Sequence, residues 1–230
     1  MIKIVAILLS LTLLLLAWNL YPTYPSYLEK RAKLLDNFYF QAKVPQKVVA
    51  LSFDDGPSRS TKAIIKTLEY YNAPATFFLI GKKLTNKSYK LYQNPLFNVG
   101  MHTFDHKHFD RISPASIDRD FSKTITLFKQ KHLTTKLFRP AYGVVNRAII
   151  RNLKKYHLRA VLWSNDSFDW DRKRRSFSRV IKSLHSGDII LMHDHATKPQ
   201  ELAKLIRAIR AKGFKIVSLE ELMRYKSAKP

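Results

Sequence analysis

The stretch that decides the fold is Val49-Ala-Leu-Ser-Phe-Asp-Asp-Gly-Pro57, an apolar run that ends abruptly at two adjacent carboxylates. The run over 48–53 is typical of a buried parallel strand, which is often apolar along its whole length. Neighbouring acids at a strand end repel each other unless a cation or a proton lies between them. An isolated Asp-Asp-Gly is usually a solvated turn, so a functional role for Asp54 and Asp55 depends on the rest of the chain.

Outward from this stretch, strand-like runs alternate with amphipathic helical patterns. The predicted strands cover residues 48–53, 75–80, 97–101, 136–139, 159–164, 188–193 and 214–217. Such alternation predicts an α/β fold with a parallel sheet covered by helices. Seven βα-like units favour a distorted (β/α)7-type barrel. An open doubly wound sheet is the alternative, but no glycine-rich phosphate loop follows any of these strands.

Composition limits the partners and the chemistry. The 230 residues suit one domain of roughly 200 residues with a short extension. The absence of cysteine excludes disulfides, thiolate metal sites and a cysteine nucleophile. A net charge of +24 favours anionic partners such as a membrane surface or an acidic glycan. No nucleic-acid-binding pattern accompanies the charge, so we expect no nucleic-acid partner. We also expect the protein to be a monomer.

The N-terminus begins with an apolar segment over 4–18, in which only Ser10 and Thr12 are polar. This is slightly short of the roughly 20 residues of a membrane span. No small-x-small cleavage site follows it, and the nearby Trp18 and Tyr21 suit an interfacial aromatic belt. An uncleaved anchor is therefore favoured over a cleaved signal peptide.

The predicted organisation has three parts. Residues 1–20 form a hydrophobic anchor helix, residues 21–46 a connector with a short helix over 27–40, and residues 47–226 the catalytic domain. We expect the domain to be membrane-anchored and extracytoplasmic, in the periplasm or at the cell surface. The flanking positive charges do not decide which side of the membrane it occupies.

Reactive side chains collect where the predicted strands end, which is where parallel barrels carry their active sites. They are Asp54 and Asp55, His102 and His106, Arg139, Asp166 and Asp169, and His193. Two histidines four residues apart can chelate one ion if a turn holds them on the same side. With Asp55 they would form a set of three ligands with one open position, as in catalytic zinc sites. A histidine pair alone is weak evidence, but the carboxylates at the same mouth strengthen it.

Five motifs then appear in order. They are Phe-Asp-Asp-Gly-Pro (53–57), His-Thr-Phe-Asp-His (102–106), Arg-Pro-Ala-Tyr-Gly (139–143), Asp-Ser-Phe-Asp-Trp (166–170) and Leu-Met-His (191–193). Together they resemble the polysaccharide deacetylase family, the NodB-homology carbohydrate esterases of family 4, over about residues 47–225. Ala141 stands where the family often has a second proline, and Ser52 where threonine is commoner. Neither departure removes a functional group.

The resemblance implies a metal centre. Asp55, His102 and His106 would hold a divalent ion, usually zinc, with Co²⁺, Ni²⁺ or Mn²⁺ as alternatives. Such an ion makes water more acidic. Asp54 would act as the general base, and Arg139 would keep Asp54 ionised and aimed.

It also implies the remaining roles. The backbone N–H of Tyr142 would stabilise the oxyanion, and His193 would protonate the departing amine. Asp166 would hold the imidazole of His193 and raise its pKa. Trp170 and Leu191 would form an apolar wall for the acyl methyl group. For Asp169 we expect a structural role, capping its loop.

The implied activity is metal-dependent removal of N-acetyl groups from amino sugars of a cell-envelope glycan, such as peptidoglycan, a chitin-like polymer or an exopolysaccharide. One alternative is deformylation or deacetylation of a lipid-linked amino sugar at the membrane. Another, from a different class, is an inert carbohydrate-binding relative. Such relatives usually lack a base, a ligand or a general acid, and this sequence retains all three.

Overall fold

The computed structural model describes residues 38–171, 173–174 and 176–226. Its strands are β1 (Phe38–Tyr39), β2 (Val48–Gly56), β3 (Ala75–Leu79), β4 (Phe97–Met101), β5 (Leu137–Phe138), β6 (Arg159–Val161), β7 (Asn165–Asp166), β8 (Ile189–His193) and β9 (Lys215–Val217). Its α-helices are α1 (Thr61–Tyr70), α2 (Pro114–Gln130), α3 (Arg147–Lys155), α4 (Phe177–Lys182), α5 (Pro199–Ala211) and α6 (Leu219–Leu222). The alternating order agrees with the predicted α/β class.

Strand β2 is the centre of the sheet. It pairs in parallel with β3, β8 and β9, within the order β1-β6-β5-β4-β3-β2-β8-β7. Ala50 is completely buried, and so are Val49, Leu51 and Phe53, whose side chains point to the opposite face. This is expected for an apolar strand in a sheet that is covered on both faces. The register places Asp54 directly opposite His193 at the end of β8. The pairing of these strands therefore fixes two of the reactive side chains next to each other.

One segment, 159–166, contributes a strand near each end of the sheet, so the sheet curls. β6 pairs with β5, whereas β7 pairs with β8. The prediction of one continuous strand over 159–164 was therefore wrong. The carbonyls of Val161 and Leu162 accept hydrogen bonds from the guanidinium of Arg139, at 3.0 and 2.9 Å. Strand β6 ends at Val161, where these carbonyls bind the arginine side chain and not a neighbouring strand.

The N-terminal boundary also differs from the prediction. Phe38 and Tyr39 form β1, which pairs with Ala160 and Val161, so the end of the helix predicted over 27–40 is wrong. The aromatic rings of this segment are buried, and burial of apolar area favours the strand. The predicted anchor helix and the rest of that short helix lie outside the described residues. Among those that are described, no helix combines the length and apolar character needed to cross a bilayer.

Helix α2 follows the sequence signals closely. Ser113 caps its first turn by accepting a hydrogen bond from the Ser116 N–H, and Pro114 occupies the first helical position. Ile117 and Phe121 are buried against the sheet. This packing holds α2 beside the loop that follows β4, which carries two of the reactive histidines.

Candidate active site

A cleft of about 680 Å³ lies over the carboxyl ends of the strands. Nine of the ten residues predicted to form the site line it: Asp54, Asp55, His102, His106, Tyr142, Asp166, Trp170, Leu191 and His193. The tenth, Arg139, is completely buried beneath it. The convergence expected from parallel strand ends is therefore present.

Asp54 is a buried carboxylate with two different oxygen environments. Its Oδ1 accepts a hydrogen bond from Nη1 of Arg139 at 2.8 Å. Its Oδ2 lies 3.7 Å from Nε2 of His102. The same arginine nitrogen also donates to the hydroxyl of Ser52, at 2.9 Å. Arg139 thus restrains one oxygen, and the other faces the histidines.

Asp55, His102 and His106 form a group that could hold a metal ion, with one ligand atom from each residue and all three within 4.8 Å of one another. Oδ1 of Asp55 lies 3.1 Å from Nε2 of His106 and 3.5 Å from Nε2 of His102. This oxygen is buried and accepts no hydrogen bond within the described residues. A buried carboxylate oxygen left unpartnered between two imidazole nitrogens fits a divalent cation. Burial raises the pKa of Asp55, but the two histidines outweigh burial and hold it well below its usual range.

His102 is oriented by the segment that follows β5, and His106 by its own loop. Nδ1 of His102 lies 2.8 Å from the carbonyl oxygen of Arg139. A carbonyl can only accept, so Nδ1 carries the proton and Nε2 is left as a ligand atom. His106 and Thr103 both have left-handed backbone angles, with φ of 58° and 63°. The hydroxyl of Thr103 accepts the His106 N–H at 2.9 Å, which closes the turn between the ligands.

Sequence reasoning missed Asp120. This carboxylate on α2 is buried, and it accepts the N–H groups of Phe104 at 2.8 Å and Asp105 at 3.4 Å. Burial raises its pKa to about 6, although these two hydrogen bonds oppose the rise. An acidic residue on the buried stripe that contains Ile117 and Phe121 was the available signal. Asp120 therefore fastens the segment between the two histidine ligands to helix α2.

Replacing Asp120 by alanine is expected to weaken metal binding by about tenfold or more, because groups that orient ligands typically contribute 10- to 100-fold to affinity. Two backbone N–H groups would lose their acceptor and the turn would loosen. Competition with a chelator would measure the affinity. Asp118→Ala, which removes a partly exposed carboxylate of the same helix that does not contact the histidine loop, is the matched control. Equal affinities in the two variants would contradict the role of Asp120.

The partner of His193 is Asp169, which corrects the assignment to Asp166. Nδ1 of His193 lies 2.8 Å from Oδ1 of Asp169, and its backbone N–H donates to Oδ2 at 2.8 Å. The hydroxyl of Thr197 also donates to Oδ2, at 2.6 Å. Burial alone lowers the pKa of His193, but the hydrogen bond and charge of Asp169 outweigh it. Together with the charges of Asp54 and Asp55, they raise this pKa to about 9. His193 is therefore protonated at neutral pH, with Nε2–H as its remaining donor.

Asp166 has a different environment. Its Oδ1 accepts the N–H of Phe168 at 2.7 Å, and burial raises its pKa to about 6. Phe168 has a left-handed φ of 50°, and the chain turns there. This turn brings Asp169, three residues after Asp166, to the imidazole of His193. The prediction that Asp169 caps its loop was wrong, because its carboxylate contacts His193 instead.

The loop after β2 is tied to β8 by Asp194, a second residue whose role the sequence did not reveal. The Asp194 N–H donates to the carbonyl of Asp54 at 2.8 Å. Its buried carboxylate accepts hydrogen bonds from the hydroxyls of Thr61 and Ser58. Lys83 donates to the carbonyl of Asp55 at 2.8 Å from the other side. These contacts hold the two adjacent aspartates in place.

Aromatic side chains form two walls of the cleft. Tyr142, with φ of 58°, stacks on His108 at 3.5 Å between ring centroids and an interplanar angle of 9°. Trp170 on the other wall is 47% exposed, and the guanidinium of Arg174 lies 5.1 Å from the centre of its ring. Leu191 is buried at the base. A ligand would meet flat apolar faces at the rim and charged groups at the floor.

Buried carboxylates, a carboxylate-paired histidine and a group of residues that could hold a metal ion, all in one cleft, are typical of hydrolase active sites. The chain belongs to the polysaccharide deacetylase family, whose sequence profile, described as polysaccharide deacetylase, matches residues 41–161.

Individual relatives of known name and structure support this family assignment. The chain is 31% identical to the peptidoglycan-N-acetylglucosamine deacetylase of Bacillus cereus, over 85% of this chain and 98% of that protein. It is also 31% identical to the peptidoglycan-N-acetylglucosamine deacetylase of Listeria monocytogenes, over 76% of this chain but only 39% of that protein. A crystal structure described as a family 4 carbohydrate esterase pseudoenzyme from Bacillus anthracis has the same fold. Its TM-score is 0.74 at 21% identity, over 82% of this chain and 70% of that one.

Proposed function

We propose that this protein is a metal-dependent hydrolase that removes N-acetyl groups from amino-sugar residues of a cell-envelope glycan. The observation that carries the proposal is the placement of Asp54 and His193 in register on neighbouring strands, beside the Asp55, His102 and His106 group. The relatives named as peptidoglycan deacetylases support the substrate class.

Asp55, His102 and His106 would hold the divalent cation, with zinc the favoured identity from this donor set. When bound there, the cation supplies a Lewis acid that polarises the amide carbonyl and makes water more acidic. The remaining chemistry belongs to the protein.

Asp54 would remove the proton from the attacking water with Oδ2, because Oδ1 is committed to Arg139. The buried guanidinium of Arg139 pairs with Oδ1 at 2.8 Å and holds the carboxylate in this orientation. The N–H of Tyr142 would stabilise the negative charge that develops on the carbonyl oxygen.

His193 would then donate its Nε2 proton to the sugar nitrogen as the C–N bond breaks. Its Nδ1 is occupied by Asp169, so the proton at Nε2 is the one available to the cleft. Release of acetate and a free amine completes the reaction. Leu191 and Trp170 would contact the methyl group, which limits the acyl chain to a small one.

The test is release of primary amine from acetylated substrates by the metal-loaded full chain. Acetylated chito-oligosaccharides, polymeric peptidoglycan and lipid-linked amino sugars would be compared. We expect turnover of the glycans, and loss of turnover both after chelation and in His102→Ala. Turnover of the lipid-linked sugar alone would replace this proposal by the lipid-linked alternative. Glycan binding without amine release, with metal content confirmed, would identify an inert relative.

We also propose that the domain is held at the extracytoplasmic face of the membrane by its apolar N-terminus. Support comes from the apolar segment over 4–18 and the charge of +24. Envelope glycan lies on that side of the membrane, which is consistent with the proposed substrate.

A further inference from the structure

A second large groove, of about 770 Å³, lies at the opposite edge of the sheet from the cleft. Its floor is apolar and includes Leu137, Leu153 and Leu158, all of which are buried. Leu137 is the first residue of β5. Because the strands are parallel, the amino ends that border this groove and the carboxyl ends that border the cleft face opposite directions.

The rim of the groove is strongly basic. Lys136, Lys154, Arg159 and Arg224 line it, all are exposed, and Glu220 is its only carboxylate. Over the described part of the chain, none of these four cations forms an ion pair, although several other surface cations do. Unpaired cations gathered around an apolar floor form a site for an anion with an adjoining apolar part.

The groove also lies where the chain enters the domain. The described residues begin at Phe38, which pairs with Ala160, the neighbour of Arg159. The 37 residues before it include the apolar segment over 4–18. If that segment is held in a bilayer, the face of the domain nearest the entry point is the one that meets the lipid surface.

We propose that this basic groove is a docking surface for anionic phospholipid headgroups, and that it turns the cleft away from the membrane. Each lysine or arginine near an anionic bilayer is attracted to it, and the attraction falls off within about 10 Å. Acidic headgroups would meet the four cations, and the upper acyl region would meet the apolar floor. The carboxyl ends of the strands then face the glycan layer.

The absence of cysteine allows a direct test with the full chain reconstituted into vesicles. Thr134→Cys places a single fluorescent label on the groove without removing a cation. Ala115→Cys places one on an exposed residue in the first turn of α2, four residues from Arg111 on the rim of the cleft, and also removes no cation. Quenching by a nitroxide on lipid headgroups reports proximity to the surface. We expect strong quenching of the Thr134 label in vesicles containing phosphatidylglycerol, and its loss in pure phosphatidylcholine. The Ala115 label should be quenched weakly in both.

Two charge variants sharpen the test. Converting Lys136, Lys154, Arg159 and Arg224 to glutamine should abolish the quenching of the Thr134 label. Converting four exposed lysines elsewhere to glutamine, namely Lys62, Lys66, Lys198 and Lys204, removes the same charge and should leave the quenching intact. Equal quenching of the two labels, or equal effects of the two charge variants, would overturn the proposal. A groove label that responds to soluble polyphosphate but not to vesicles would also overturn it, in favour of an acidic polymer.

Discussion

Replacing Asp54 by asparagine is expected to lower kcat by about 10²- to 10⁴-fold, the contribution typical of a positioned general base. The amide can still accept a hydrogen bond from Arg139, but it cannot take a proton at the position of Oδ2. The three candidate ligands are unchanged, so the metal content should remain normal. Amine release and metal analysis of the same preparation would measure both effects.

Stability must be measured alongside activity, because Arg139 is completely buried and Asp54 is its counter-charge. Leaving a buried charge unpaired typically costs about 3–5 kcal/mol, so the Tm of Asp54→Asn should fall, and assays belong well below it. Asp110→Asn removes an exposed carboxylate from the rim of the same cleft and serves as the control. A folded, metal-loaded Asp54→Asn with normal turnover would remove Asp54 from the mechanism.

Much of the site could be predicted because its elements carry strong local signals. The apolar run of β2 ends at Asp54, and the run of β8 ends at His193. Parallel strands bring their carboxyl ends together whatever the details of packing. Once those strands are recognised, the proximity of the two side chains follows from topology.

The parts that could not be predicted depend on contacts between distant segments. The division of residues 159–166 into β6 and β7 reflects hydrogen bonds from Arg139 to Val161 and Leu162. Strand β1 has only two residues, and a hydrophobic pattern of that length does not distinguish a strand from the end of a helix. Asp120 acts through backbone N–H groups of a loop that precedes it by 15 or 16 residues, and no spacing rule connects the two.

The choice between Asp166 and Asp169 shows the same limit at atomic scale. Both are buried carboxylates in one motif. Asp166 is the last residue of β7, and Asp169 lies three residues beyond it. Which one reaches His193 is decided by the left-handed backbone of Phe168, a conformation that its residue type does not favour. A sequence pattern identifies the pair of acids, whereas the turn assigns their roles.

Replacing Asp169 by asparagine is the second change with a large expected effect. Oδ2 of Asp169 accepts two donors, the His193 N–H and the Thr197 hydroxyl, so the asparagine oxygen should take that position. Its NH₂ group would then face Nδ1 of His193, which would have to accept a hydrogen bond and stay neutral. We expect kcat to fall by about 10²- to 10⁴-fold, the contribution typical of general acid catalysis.

The pH profile distinguishes this effect from a loss of structure. With Asp169 present, His193 has a pKa of about 9, so activity that requires its proton should persist to that pH and decline above it. Without the carboxylate, the two largest contributions that raise this pKa are lost and the opposing effect of burial remains, so the pKa falls and the alkaline limb moves to lower pH. The sign is the same for stability, since a raised histidine pKa stabilises the fold below pH 6.5 and this contribution is lost as pH rises through about 9. Asp166→Asn is the matched control, because it removes a buried carboxylate from the same motif and should leave the alkaline limb in place. If Asp166→Asn shifted that limb and Asp169→Asn did not, the original assignment of Asp166 would be restored.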